Sequence, residues 1–264
     1  MSTERGWRRV EVLYTPADFG ALASAMPVGA TCVVFDVLRA TTTLLTALER
    51  GAEAVIPVAT IAEALAWRER KPEVLLAGER DGLRIRSALS GSVDFDLGNS
   101  PREFTAERVA GRTIVATTTN GTRALRACKG ASVVLPAALR NVGAVAQWLR
   151  KNPTETLLLV CSGTLEEAAY EDVLGAGALL DRLWADLNPA SVRDGARMAR
   201  LIYRGASGDL HGALAEHSRN GRRVMSMPGL AEDVAFCARE DDLDLVAAMD
   251  SEGWIRRLPP KSLS

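Results

Sequence analysis

Short uninterrupted apolar runs alternate with helix-spaced stretches along most of the chain. Val10–Tyr14, Thr31–Phe35, Ala54–Val58, Val74–Ala77, Arg112–Thr117, Ser132–Pro136 and Thr156–Cys161 read as strands. Between them the apolar spacing lengthens to that of helices. Ala40–Arg50 predicts a helix stopped by Gly51. Thr60 with Glu63 three residues on is a capping box that opens the next one. Ser100-Pro101-Arg102-Glu103 puts proline at a first helical position. Further helices are expected through Cys128, from a cap at Asn141 to about Lys151, and from about Asp172 to Asp186. A loop rich in Gly, Ser and Asp joins Arg80 to Ser100.

Strands that are apolar throughout belong in sheets covered on both faces, and strand–helix alternation makes such sheets mainly parallel. The expectation is one α/β domain over residues 1–264, with a more polar helical excursion near residues 188–230. Leu243–Met249 and Trp254–Leu258 predict two short antiparallel strands at a sheet edge. The chain shows no fixed-period repeat, low-complexity tract or linker.

Composition narrows the function classes. A chain of 264 residues buries about 70–75% of its unfolded surface, so it needs no disulfide or metal staple to fold. Its 32 Lys+Arg face 33 Asp+Glu, a net charge of −1, which leaves no surplus for nucleic acid or an anionic membrane. Cys32, Cys128, Cys161 and Cys237 sit in apolar segments without a CxxC pair, and buried reduced thiols are expected. Met1 to Glu11 carries charges and is followed by no apolar signal region. No apolar run approaches the roughly 20 residues of a membrane span. A cytoplasmic location is expected.

In open α/β sheets, ligands bind at the carboxyl ends of strands, so the polar residues following each run carry the chemistry. Asp36, directly after Thr31–Phe35, reads as a metal ligand or nucleophile, or as a helix N-cap. Arg39 can clamp an anion bidentately, or pair with Asp36. Thr41 and Thr42 can offer hydroxyls to a phosphate at a helix start, or pack as β-branched residues. Glu79, in the AGER segment, can share Mg²⁺ with Asp36, or pair with Arg80. Thr118, Thr119, Asn120, Gly121 and Thr122 form a glycine turn suited to an oxyanion nest, or to simple capping. Asn99 and Ser100 lie in a turn leading into a helix. Glu171 and Asp172 suit a helix start, or a share in a metal site. His211 and His217 read as surface residues, and Trp67, Trp148 and Trp184 as core.

Several templates fail. Cys161-Ser162-Gly163 lacks the arginine a cysteine phosphatase needs about six residues on, since position 167 is Glu167. A GxSxG elbow and a GxxxxGK[ST] loop are absent. Gly175-Ala176-Gly177 lacks the third glycine of a dinucleotide fingerprint. Leu38 stands where a haloacid-dehalogenase phosphatase has its second aspartate.

Together, DVLRATT (Asp36–Thr42), AGER (Ala77–Arg80), FDLGNSP (Phe95–Pro101), TTTNGTRAL (Thr117–Leu125) and CSGT…EDVLGAG (Cys161–Gly177) resemble the 2-phosphosulfolactate phosphatase family, the ComB family. The resemblance runs in order from about residue 10 to residue 250. It implies a three-layer α/β/α fold with a mainly parallel, mixed sheet, and a homo-oligomer, a dimer being favoured. It implies Mg²⁺-dependent hydrolysis of (R)-2-phospho-3-sulfolactate to 3-sulfolactate and phosphate, a step toward coenzyme M. Mg²⁺ would rest on Asp36, Glu79 and either Glu171 or Asp172. Arg39 and Asn120 would serve catalysis, with Cys161, Ser162 and Gly163 joining the other strand-end residues around the substrate. The attacker is a positioned water or Asp36 itself. Two departures stand out: Ser218-Arg219-Asn220-Gly221 has Asn220 where the family often has histidine, and the closing strand reads Leu245-Val246-Ala247-Ala248 without the common proline. A phosphatase of another small phospho-acid, or a non-catalytic binder of an anionic metabolite, are the alternatives. Clustered carboxylates argue against the binder, because a pure anion site gains nothing from negative charge.

Overall fold

The computed structural model describes residues 6–259. Of the charged N-terminal segment, the first five residues lie outside that range. The apolar runs become strands close to their expected bounds: β1 (Arg9–Leu13), β2 (Thr31–Phe35), β3 (Ala54–Pro57), β4 (Leu75–Arg80), β5 (Leu83–Arg84), β6 (Thr113–Thr117), β7 (Val133–Ala137), β8 (Thr156–Cys161), β9 (Ala247–Met249) and β10 (Ile255–Arg257). Helices of seven residues or more are α1 (Ala40–Glu49), α2 (Ile61–Arg70), α3 (Gly121–Ala127), α4 (Val142–Lys151), α5 (Tyr170–Leu183), α6 (Asp194–Ala206), α7 (Leu210–His217), α8 (Arg219–Ser226) and α9 (Ala231–Cys237).

The strands divide between two sheets. The first is fully parallel, in the order β1-β8-β2-β7. The second is mixed, in the order β5-β4-β6-β3-β10-β9. In it, β4, β6 and β3 run parallel, while β5, β10 and β9 add antiparallel pairings at the two edges. Alternate residues of β2 explain its wholly apolar sequence. Val33 and Phe35 enter one core with the leucines of α5, whereas Cys32 and Val34 enter another with Leu44, Leu45 and Leu48 of α1. The parallel sheet is thus the middle of three α/β/α layers. The inner layer, α1 and α3, is shared with the second sheet through Val55 and Ile114. The far face of that sheet packs Ile56 and Val115 against α2.

Local chemistry departs from expectation at a few places. Asn141 stands at the N-cap position of α4 as expected, but its side chain makes no cap bond to that helix. Its side chain accepts the Ala138 N–H at 2.9 Å and donates to the Leu245 carbonyl at 3.0 Å, tying the closing segment to the β7 end. β4 runs on to Arg80 and turns back as β5, so the expected Arg80–Ser100 loop begins as a hairpin. Pro101–Glu103 forms only a single 3₁₀ turn. Trp67, Trp148 and Trp184 are half-buried at the rims of the cores rather than inside them. All four cysteines are free and buried, and both histidines are exposed. Among the described residues no helix is long and apolar enough to cross a membrane.

Candidate active site

Register places the chemistry. Phe35 lies opposite Cys161 across the β2–β8 pair, so Asp36 and Ser162 leave the parallel sheet side by side. The Ser162 N–H donates to the Phe35 carbonyl at 2.8 Å and holds the two exits together. In the second sheet Gly78 lies opposite Thr117, so Glu79 and Thr118 emerge as neighbours. The two sets of strand ends line one pocket together with Arg39, Asn99, Thr119, Asn120, Gly163 and Glu171. Hence the expected residues from four separate strand ends converge in space.

Each carboxylate there is held by local donors. Asp36 Oδ1 accepts the Ala40 N–H at 3.0 Å. Glu79 Oε1 accepts from the N–H and hydroxyl of Thr119 at 2.9 and 3.0 Å, and Oε2 from the Gly82 N–H at 2.7 Å. Glu171 Oε2 accepts from Ser218 at 2.6 Å and Oε1 from the Asn220 amide at 2.5 Å. Gly121, part of the turn expected to form an oxyanion nest, lets α3 approach Asp36. A Cβ there would stand 2.6 Å from Asp36 Oδ2 and 2.7 Å from the Ala40 Cβ.

Other expected residues support the pocket without lining it. The Thr41 hydroxyl donates to the Asp36 carbonyl at 2.9 Å and that of Thr42 to the Val37 carbonyl at 2.8 Å, so both brace the β2–α1 loop rather than offering hydroxyls to a ligand. Ser100 donates to Asp233 at 2.7 Å. Thr122 closes the Thr118 turn, its hydroxyl donating to the Thr118 carbonyl at 3.1 Å. Cys161 is buried in the core, its thiol pushed well up by burial. Asp172 is a clasp: Oδ1 accepts the Val37 N–H at 2.9 Å, and Oδ2 accepts the Ser162 hydroxyl at 2.9 Å and the Gly163 N–H at 3.1 Å. It joins the loops after β2 and β8 from behind the pocket.

Arg39 pairs not with Asp36 but with Asp233 of α9, at 2.8 Å, both side chains buried. Its other terminal nitrogen donates to the Gly82 carbonyl at 2.8 Å. The Leu38–Arg39 peptide bond is cis. The pocket also gathers residues that strand-end reasoning passes over: Asp81 and Gly82 from the β4–β5 turn, Thr164 and Leu165 beyond β8, and Arg223, Val224 and Met227 from α8 and its end. A signal for the last group exists. Positions 220, 223, 224 and 227 follow the spacing of one helical face.

Residues 21–252 match the 2-phosphosulpholactate phosphatase family. This chain belongs to that family. A probable 2-phosphosulfolactate phosphatase of Thermotoga petrophila is 41% identical over 211 residues, covering 80% of this chain and 85% of its own. One from Deinococcus radiodurans is 44% identical over 208 residues, covering 78% and 82%. A third, from Thermotoga maritima, is 38% identical over 219 residues, covering 83% and 88%. The names of the family and these relatives are those of a phosphoric monoester hydrolase.

The electrostatics of this family member's pocket follow from burying like charges together. Burial pushes the Asp36 carboxyl up to about 6, with a further push from Glu171 and Glu79; the Ala40 N–H and Ser162 hydroxyl pull the other way. Burial likewise raises Glu171, against the donors Ser218 and Asn220. Asp172 is raised by burial and by the charges of Glu171 and Asp36. Neutralising such a cluster calls for protons or a cation. Among the described residues no group of three or more His, Cys, Asp or Glu side chains is placed to hold a metal ion by itself. The donors do fit a hard cation of the Mg²⁺ kind, which is commonly held by one or two carboxylates together with water and substrate phosphate. Asp36, Glu79 and Glu171 line the same pocket, and a carboxylate oxygen holding one donor keeps a second lone pair.

Proposed function

We propose that this protein is a Mg²⁺-dependent phosphatase that hydrolyses (R)-2-phospho-3-sulfolactate to (R)-3-sulfolactate and phosphate. The same reading places it in sulfonate metabolism, on the route to coenzyme M. The observation that carries the proposal is the convergence of Asp36, Glu79 and Glu171 with Arg39 and the Thr118–Asn120 turn in one pocket. Carboxylates there suit a divalent cation, and the arginine and turn suit an anion. The names of the similar phosphatases support the substrate.

Of Asp36, Glu79 and Glu171, which line the pocket together, one or two would hold Mg²⁺, with water and the substrate phosphate completing its shell. A cation bound there would supply positive charge to offset the negative charge of the phosphoryl oxygens. The chain's own residues do the positioning. Asp172 fixes the exits of β2 and β8, so the Asp36 carboxylate is held at a set place. Thr119 and Gly82 fix Glu79. Arg39, itself aimed by Asp233, meets phosphoryl oxygens at the strand ends. Asn120, at the start of α3, lines the same pocket and would offer its side-chain amide to the anion. Asp36 has the position for two roles, cation ligand and nucleophile. A trapped aspartyl phosphate on Asp36 would assign the second.

The deciding experiment measures phosphate release from synthetic 2-phosphosulfolactate by metal-stripped protein, with and without Mg²⁺, beside 2-phospholactate. Mg²⁺-dependent turnover that prefers the sulfonate is expected. Turnover that is equal without the metal removes the cation from the proposal. A folded protein releasing phosphate from neither compound overturns it.

A further inference from the structure

The pocket has an imbalance that the proposed chemistry does not use. Its lining includes the acids Asp36, Glu79, Asp81 and Glu171, and the cations Arg39 and Arg223. Arg39 is fixed by buried Asp233 and by the Gly82 carbonyl, and its remaining N–H groups are the ones assigned to the phosphate. Arg223 is not fixed in this way. Among the described residues its ion pair is with Asp81 at 3.6 Å, where the two side chains are 49% and 94% exposed. Such a pair adds almost nothing to stability and yields readily to a better acceptor.

Position gives Arg223 a direction. Helix α8 presents Asn220, Arg223 and Val224 to the pocket, and Met227 follows one turn later. At one end Asn220 donates to Glu171 and Thr164. At the other, Met227 covers Gly82, where a Cβ would lie 3.0 Å from the methionine methyl and 3.9 Å from Arg39. Arg223 therefore stands between the two ends, on the wall that faces the strand exits. A substrate whose phosphate lies at the buried carboxylates carries its remaining acidic groups toward this wall.

We propose that Arg223 is the specificity-determining residue, receiving the sulfonate of the substrate by exchanging Asp81 for it. This rests on the 2-phosphosulfolactate reading. A guanidinium matches a tetrahedral oxyanion with two parallel N–H···O bonds, which an uncharged methyl group cannot accept.

The test compares kcat/KM for 2-phosphosulfolactate and 2-phospholactate in the wild type, Arg223→Gln, Arg223→Lys and Asp81→Asn. The ratio of the two values is the readout. Arg223→Gln is expected to lower it about tenfold or more, mainly through KM for the sulfonate, the loss typical of a hydrogen bond to a charged group. Arg223→Lys should recover part of it. Asp81→Asn, which frees Arg223, should raise the ratio about twofold, in keeping with a weak exposed pair. An unchanged ratio in Arg223→Gln, with the wild type active, overturns the role of Arg223 alone. A wild type that turns over neither compound overturns the hydrolase reading and this role together.

Discussion

The pocket has two walls of different construction. The strand-end wall is set by sheet register. Asp36 and Ser162 leave adjacent parallel strands, Glu79 and Thr118 leave another pair, and each carboxylate is fixed by backbone or hydroxyl donors. The helical wall is an eight-residue helix, α8, held through Gly221 and Val224, whose Arg223 remains half in water. Buried, over-determined carboxylates suit a reaction that tolerates little displacement. A half-exposed arginine on a short helix suits selection among substrates. On the proposed reading rate rests on one wall and choice on the other, and variants on each should separate accordingly.

The largest effect is expected on the strand-end wall. Asp36→Asn keeps the side chain's shape and its acceptor for the Ala40 N–H but removes the charge. Turnover should fall by about a hundredfold or more with no loss in Tm, measured by phosphate release and calorimetry. Near-normal turnover would move the chemistry away from this wall. Gly121→Ala tests the same wall through packing. Its Cβ would meet Asp36 Oδ2 at 2.6 Å and the Ala40 Cβ at 2.7 Å. Both lie on a braced segment that gives little. A loss of about 1–3 kcal/mol in stability is expected from overpacking, with a fall in kcat exceeding that in folded fraction. A variant as active and stable as the wild type would show that the β2–α1 segment is less fixed than its hydrogen bonds imply.

A smaller, pH-dependent effect follows from burying Asp36, Glu171 and Asp172 together. Burial lifts Asp36 from 3.8 to about 6 in the folded protein. A carboxyl with a raised folded pKa keeps its proton on folding where the unfolded chain has lost it. Its stabilising contribution is complete below the unfolded value and is lost as pH rises through the folded one. Metal-free protein should therefore lose from this group a measurable part of its thermal stability between about pH 4 and pH 6. Asp36→Asn should flatten that slope. Added Mg²⁺ should raise Tm more at pH 7.5 than at pH 5. Equal Mg²⁺ effects at both values would argue that the carboxylates do not bind it.

The two walls also differ in how far the amino-acid sequence reveals them. β2 and β8 are apolar throughout because both faces are covered, so their ends are unmistakable and Asp36 and Ser162 follow directly. Pattern cannot show which polar residues beyond a strand end face outward. Thr41, Thr42 and Asp172 look like ligands in a linear reading, yet their side chains hold neighbouring loops. Division into two sheets is equally hidden, since strand order depends on pairings far apart in the chain. α8 is harder still. Arg-Asn-Gly-Arg-Arg-Val-Met-Ser falls in the polar helical excursion expected near residues 188–230, and only tertiary packing selects which arginine meets the pocket. Arg39 shows the same limit: its partner Asp233 lies 194 positions away, beyond any local spacing rule.

Asn220 is where the walls touch, and it gives the smallest predicted effect and the finest division between them. It belongs to α8, yet its amide donates to Glu171 Oε1 and to the Thr164 hydroxyl at 2.5 and 2.7 Å. Asn220→Ala removes both bonds and leaves Glu171 with Ser218 as its side-chain donor. A loss of about 1 kcal/mol in stability is expected for a bond of this kind. If the helical wall only selects, kcat should fall by less than about threefold, because Ser218 still orients Glu171. The preference for the sulfonate substrate should weaken as α8 loosens. If kcat instead falls as far as in Glu171→Gln, the helix is part of the chemical machinery and the division fails at this residue. Steady-state kinetics of the two variants on both substrates decide between these results.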